Sequence, residues 1–285
     1  MRWQDLGRSG NVNFRSGGGG GGLGPLVAGG GGIGALLIAG VVFLLGGDPS
    51  AVLNQGGQSP GAGQPGYSAQ SEAGQFTQAI TASTEQEWAQ IFQESGGTYQ
   101  APSVEVFRGS TPTGCGYGQA AMGPFYCPAD QNVYLDLAFF DELSSKFGAP
   151  GDFAAAYVIA HEVGHHVQNL TGANRAADRL GSRGETSGSV RLELQADCYA
   201  GVWAARANAR FQRERGQPLL ETGDVEEGLQ AANAIGDDTL QRQSGGRVAP
   251  DSFTHGSSAQ RIRWFRVGLQ SGDPAACDTF NTRQL

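Results

Sequence analysis

Glycine and small polar residues crowd the first 75 positions of this chain, while almost every Trp, Phe, Tyr and charged side chain lies beyond Gln75. The 47 glycines are far above average usage, so their clustering marks a local feature and not a property of the whole fold. A segment without large apolar side chains cannot bury enough surface to offset the entropy of ordering it. The folded part is therefore expected over 76–285. A stretch of that length can bury a sizeable single core unaided, so a bound metal is expected to serve chemistry and not folding. The net charge of −8 argues against a nucleic-acid partner, because phosphate binding needs a concentrated basic face. Only Arg206–Arg215 is locally basic, and the interleaved Gln212 and Glu214 read as a solvated helix face.

Residues 1–22 carry Arg2, Arg8 and Arg15 against Asp5 alone, then the run Gly17–Gly22, and read as a cytoplasmic tail. From Leu23 to Leu45 there is no charge, and the stretch ends in the apolar run Ile33–Leu45, long enough for a transmembrane anchor. Arginines before it and Asp48 after it predict a single-pass protein of the cytoplasmic membrane. Its N-terminus would lie inside and its domain in the periplasm or outside the cell. A cleaved signal peptide is the alternative, but no A-x-A site follows Leu45. Residues 46–75, rich in Gly, Pro, Gln and Ser, read as a disordered linker. Cys115, Cys127, Cys198 and Cys277 form no C-x-x-C pair, so disulfides Cys115–Cys127 and Cys198–Cys277 are preferred over four reduced thiols.

Beyond the linker, helical spacing of Phe76, Ile80, Trp88 and Phe92 predicts a helix over Phe76–Phe92. Val104–Arg108 and Asn132–Leu137 read as strands, with loop or hairpin between them over Ser110–Pro128. Helices follow at Ala138–Phe147, from an N-cap at Asp152 to Leu170, then at Val190–Arg215, Asp224–Gln243 and Ser257–Leu269. The fold class is α+β and mostly helical.

The helix from Asp152 contains Tyr157-Val-Ile-Ala-His161-Glu162-Val-Gly-His165-His166, an H-E-x-x-H motif. Spacing of four puts His161 and His165 one turn apart on one face, where both imidazoles can reach a single zinc ion. Glu162 is placed as the general base. Ile159, Val163, Val167 and Leu170 form an apolar stripe, so the helix is expected to be buried. A pair of satisfied core histidines is the bland reading of the motif. His166 is about 100° around from His165 and reads as an outer or surface histidine.

Catalytic zinc usually takes three protein ligands. Gln168 and Thr171 stand where the extended metzincin motif needs glycine and histidine, so the third ligand must come from elsewhere. Glu193 is the candidate, on a later helix whose Ala196, Ala200, Gly201 and Ala204 allow close approach. Asp197, four residues on, can fix the tautomer of a ligand histidine. A surface pair of acids is the bland alternative, although like charges at that spacing repel. Asp178 and Glu185 are other acids within reach in the sequence.

H-E-x-x-H followed by E-x-x-x-D is similar to the gluzincin arrangement. More narrowly, Met1-Arg-Trp-Gln-Asp, Ser9-Gly-Asn-Val, HEVGHHVQNLTG (161–172), RLELQADCYAG (191–201) and DSFTHGSSAQRIRWF (251–265) resemble the bacterial neutral zinc metallopeptidases. The resemblance implies a zincin-like catalytic domain with a small sheet before the H-E-x-x-H helix, preceded by one transmembrane helix. It also implies one zinc per chain, a protein or peptide substrate and hydrolysis of peptide bonds. By the same resemblance, Asn132–Leu137 would be the edge strand that pairs with substrate. Thr254-His255 through Arg261-Ile262 is similar to the T-H-P-x-x-x-x-R-I segment of membrane zinc proteases that process prenylated proteins, with Gly256 in place of proline. That likeness implies that His255 faces the tetrahedral intermediate and that Arg261 anchors the segment on Asp197 or Glu193. A helix-cap histidine with a surface arginine is the alternative. A non-catalytic zinc protein of the envelope and a zinc hydrolase of cell-wall amide bonds are the competing functions.

Overall fold

The computed structural model describes residues 1–15 and 67–285, and its architecture is α+β and mostly helical. Strand β1 (Val12–Phe14) opens the sheet. After the chain returns at Tyr67, the Ser71 hydroxyl accepts the Gly74 N–H and caps α1 (Glu72–Glu94), which starts ahead of Phe76. Strands β2 (Ser103–Phe107), β3 (Ser110–Thr113), β4 (Gly116–Gln119), β5 (Phe125–Cys127) and β6 (Asn132–Asp136) follow. The main sheet has the order β1-β2-β6-β5, parallel except for β5, while β3 and β4 form a separate hairpin. The Cys115–Cys127 disulfide fastens that hairpin to β5. Asn132–Asp136 is thus an interior strand, and the edge next to it is β5. Three residues between Gly123-Pro124 and Pro128 are too few to show a strand period, which is why this segment reads as loop from sequence.

Helices α2 (Ala138–Ser145), α3 (Asp152–Thr171), α4 (Ala173–Ala177) and α5 (Gly188–Arg215) come next. Gly151, not Asp152, occupies the N-cap of α3, and Asp152 sits in the first turn, where the helix dipole favours a carboxylate. The expected single helix over Asp224–Gln243 is two, α6 (Asp224–Ala234) and α7 (Asp237–Gln243). They part at Gly236, where an added Cβ would lie 2.4 Å from the Ser258 backbone nitrogen. A capping box between Ser257 and Gln260 begins α8 (Ser258–Ser271).

Helix α3 runs through the centre, its residues from Phe153 to Gly164 all buried. It approaches α5 closely at Gly164, whose absent Cβ would sit 3.1 Å from Ala196 Cα. On its other side α5 meets α8 backbone to backbone: a Cβ on Gly268 would fall 1.9 Å from the Cys198 carbonyl oxygen. The Cys198–Cys277 disulfide ties the C-terminal segment to the same stretch of α5. Because backbone cannot yield as a flexible side chain does, Gly268→Ala is expected to cost at least about 1–3 kcal/mol, read as a lowered midpoint in urea unfolding. An unchanged midpoint would mean that the two helices can separate freely.

The N-terminal residues correct two expectations. Met1, Trp3, Leu6 and Val12 are buried in the main core, Trp3 lies edge-on to Phe76, and β1 pairs with β2. Asn13 and Arg15 both bond the Glu105 carboxylate at 2.8 Å. Residues 1–15 are thus part of the domain and not a tail. The expected single-pass topology is overturned with them. No helix among the described residues is long and apolar enough to cross a membrane. Residues 1–15 and 67–285 also form one packed body, so an N-terminus inside and a domain outside are incompatible. The anchor expected at Leu23–Leu45, and the linker as far as residue 66, lie outside the described residues.

Candidate metal centre

The two histidines of the motif stand one turn apart on α3, with ring centroids 4.7 Å apart. Across the narrow contact at Gly164, α5 presents Glu193. Its carboxylate oxygens lie 3.2 Å from His161 Nε2 and 3.4 Å from His165 Nε2. Donor atoms from these three residues fall within 4.8 Å of one another. Two imidazole nitrogens and a carboxylate, with other partners on both Nδ1 atoms, are a donor set that fits zinc. His161 and Glu193 are buried and His165 is half-buried. Burial disfavours charge on His161, but Asp197 and Glu193 outweigh it and push its pKa up to about 10. Burial likewise opposes ionisation of Glu193, yet the surrounding histidines hold it well below the usual carboxylate range. Glu162, buried beside them, is shifted upward because burial is its largest influence.

Asp197, one turn beyond Glu193 on α5, is completely buried. One oxygen takes His161 Nδ1 at 2.9 Å and also the Tyr157 hydroxyl. Arg261 from α8, itself 2% exposed, reaches the carboxylate with Nε at 2.9 Å and Nη2 at 2.8 Å. Burial works against the charged carboxylate, but Arg261 and His161 keep it ionised, with a pKa below the ordinary value. Such a group can only accept, so His161 carries a proton on Nδ1 and turns Nε2 toward Glu193. Asp178 and Glu185, the other acids considered, are exposed and take no part in the cluster.

His255 lies on the loop before α8, near enough to Glu193 for each to influence the other's ionisation. Its loop is organised by Asp237, the buried first residue of α7. One Asp237 oxygen accepts the backbone N–H groups of Thr254, His255 and Gly256 at 2.7, 2.7 and 3.0 Å. The other is 3.3 Å from His255 Nδ1, which also meets the Thr254 hydroxyl at 2.9 Å. Gly256 has a φ of +89°, which the proline of the prenyl-protein proteases could not adopt. The likeness to those enzymes therefore extends to the histidine and arginine but not to the turn between them.

The model of the family described as "putative neutral zinc metallopeptidase" matches residues 1–280. The chain belongs to that family. It is 49% identical over 298 aligned positions to YpfJ of Escherichia coli K12, covering 98% of this chain and 99% of YpfJ. It is 43% identical over 252 positions to Rv2575 of Mycobacterium tuberculosis H37Rv, covering 85% and 86% of the two chains. No solved structure matches it. The family is one of zinc hydrolases by name, and the cluster of His161, His165 and Glu193 is where this member could hold the metal. The match begins at the N-terminal residues that pack on the core.

Three features of this metallopeptidase family member are not seen in the sequence reading. His166 is 1% exposed, not a surface residue, and ties Gln100 O (2.6 Å) and the Tyr126 hydroxyl (3.1 Å) to α3. Tyr157 precedes His161 by one turn, a spacing that could have flagged it. Asp237 carries no local signal, since it reaches the site only because the chain breaks at Gly236.

Proposed function

We propose that this chain is a zinc-dependent peptidase with His161, His165 and Glu193 as the ligands and Glu162 as the general base. The observation that carries the reading is the convergence of three complementary donors beside a second buried carboxylate, Glu162, on the helix turn that carries the histidines. Zinc bound there supplies Lewis acidity, polarising a scissile carbonyl and making water easier to deprotonate. Glu162 takes the proton of the attacking water and delivers it to the leaving amine, and its raised pKa suits a group that must both accept and release it. Asp197 and Arg261 hold His161 in one tautomer throughout. His255, with Nδ1 engaged by Thr254 and Asp237, offers Nε2 to the oxyanion. The zincin-like arrangement expected from the sequence is part of this proposal, with β5 replacing β6 as the strand edge open to an extended peptide.

His255→Ala is then expected to keep its zinc and lose about 100- to 1,000-fold in turnover, roughly 2.7–4 kcal/mol for one oxyanion donor. Zinc lost from this variant would make His255 a ligand and demote Glu193. Unchanged turnover would leave the histidine a structural residue.

The function is tested by offering the full chain an unfolded protein and isolated peptidoglycan, each with a chelator control and zinc restored. Cleavage of the protein that stops with chelator and returns with zinc supports the peptidase. Cleavage of peptidoglycan alone would make it a cell-wall amide hydrolase. Zinc binding with neither activity would point to a non-catalytic role.

A further inference from the structure

His161 rests its Nδ1 on a carboxylate, whereas His165 turns the same atom to a neutral amide, Gln168 Oε1, at 2.9 Å. Gln168 is completely buried, one turn further along α3. The two ends of an amide have the same shape, so an outside reference must decide which end faces the histidine. Here the reference is backbone. Gln168 Nε2 donates to the Leu192 carbonyl at 2.7 Å and to Gln195 Oε1 at 3.1 Å. Gln195 Nε2 donates in turn to the Cys277 carbonyl at 3.0 Å. A carbonyl oxygen only accepts, so each amide has one workable orientation, and the polarity runs outward from Cys277 to His165. The oxygen that finally faces the imidazole needs a donor. Nδ1 must therefore carry a proton, which leaves Nε2, 3.4 Å from Glu193, as the nitrogen available to a metal.

The outer end of this chain is well fixed. Cys277 is bonded to Cys198, the neighbour of Asp197 on α5. Two residues later the Thr279 hydroxyl donates to the Arg191 carbonyl at 2.8 Å. The C-terminal segment thus lies along the part of α5 that carries Glu193 and Asp197.

We propose that Gln168 and Gln195 are positioning residues that hold His165 in its Nδ1–H tautomer with Nε2 presented to the metal, and that the Leu192 carbonyl for Gln168 and the Cys277 carbonyl for Gln195 are the references that set their orientations. The inference rests on the zinc reading above. It assigns a role in the metal site to a C-terminal segment that touches no ligand.

The test is zinc affinity of the full chain, measured by competition with a chromophoric chelator, alongside thermal melting. Gln168→Leu is expected to bind zinc about 10- to 100-fold more weakly. Gln168→Glu retains an acceptor for Nδ1–H and should hold zinc close to wild type. It should nevertheless melt lower, because its second oxygen faces the Leu192 carbonyl and Gln195 Oε1. Affinity and stability therefore part company. A merely structural role predicts that affinity falls only as stability does, and that pattern would overturn the proposal. Unchanged affinity in Gln168→Leu overturns it while leaving the zinc site intact, whereas a wild-type chain that binds no zinc overturns both. Should Gln168→Leu not fold, ring-nitrogen NMR of the metal-free wild type decides: a His165 protonated on Nε2 and bare on Nδ1 contradicts the proposal.

Discussion

Glu162→Gln is expected to bind zinc as the wild type does and to hydrolyse unfolded protein about 100- to 10,000-fold more slowly, the usual range for loss of a general acid–base group. The amide fills the same volume beside His161 and leaves the three donors untouched. It cannot take a proton from water. Metal content and steady-state turnover, measured on one preparation, separate the two effects. Turnover within a few-fold of wild type would assign the base to another group, and loss of zinc would place Glu162 among the ligands.

Asp197→Ala is expected to be destabilising by about 3–5 kcal/mol, because it leaves the Arg261 guanidinium charged and buried without its acid. It also frees His161 Nδ1 and the Tyr157 hydroxyl, so zinc should be lost as well. Urea unfolding measures the first effect and metal analysis the second. The double variant Asp197→Leu with Arg261→Met removes both charges and should recover most of the stability, since a buried ion pair replaced by apolar groups is often neutral. It should not recover the metal, because His161 still lacks its acceptor. A single variant as stable as wild type would mean that water reaches Arg261 and replaces the carboxylate.

How much of this was legible in the sequence depended on distance along the chain. The H-E-x-x-H spacing and the Glu193–Asp197 pair each lie within one helix turn, and local periodicity alone places them on α3 and α5. The small residues around Ala196 marked where those helices could approach. Arg261 was legible as a partner of Asp197 or Glu193 only through resemblance, since nothing local points a helix residue at an acid on another helix. Asp237 was not legible at all: it acts on a loop that follows it by 17 to 19 positions, through a break in what reads as continuous helix. The N-terminal residues failed for a different reason. The glycine run beginning at Gly17 dominates the composition of that region and conceals Trp3, which packs on Phe76, and Val12, whose strand pairs with residues 103–107. The charges flanking the apolar stretch read as two sides of a membrane, yet residues 1–15 pack on the domain.

The zinc content of the purified full chain, with and without Glu193→Ala, tests the central claim most directly. The wild type should carry one zinc per chain, and Glu193→Ala should lose it while His255→Ala keeps it. A wild-type chain that takes up no zinc, or a Glu193→Ala variant fully loaded with it, would contradict the ligand set of His161, His165 and Glu193.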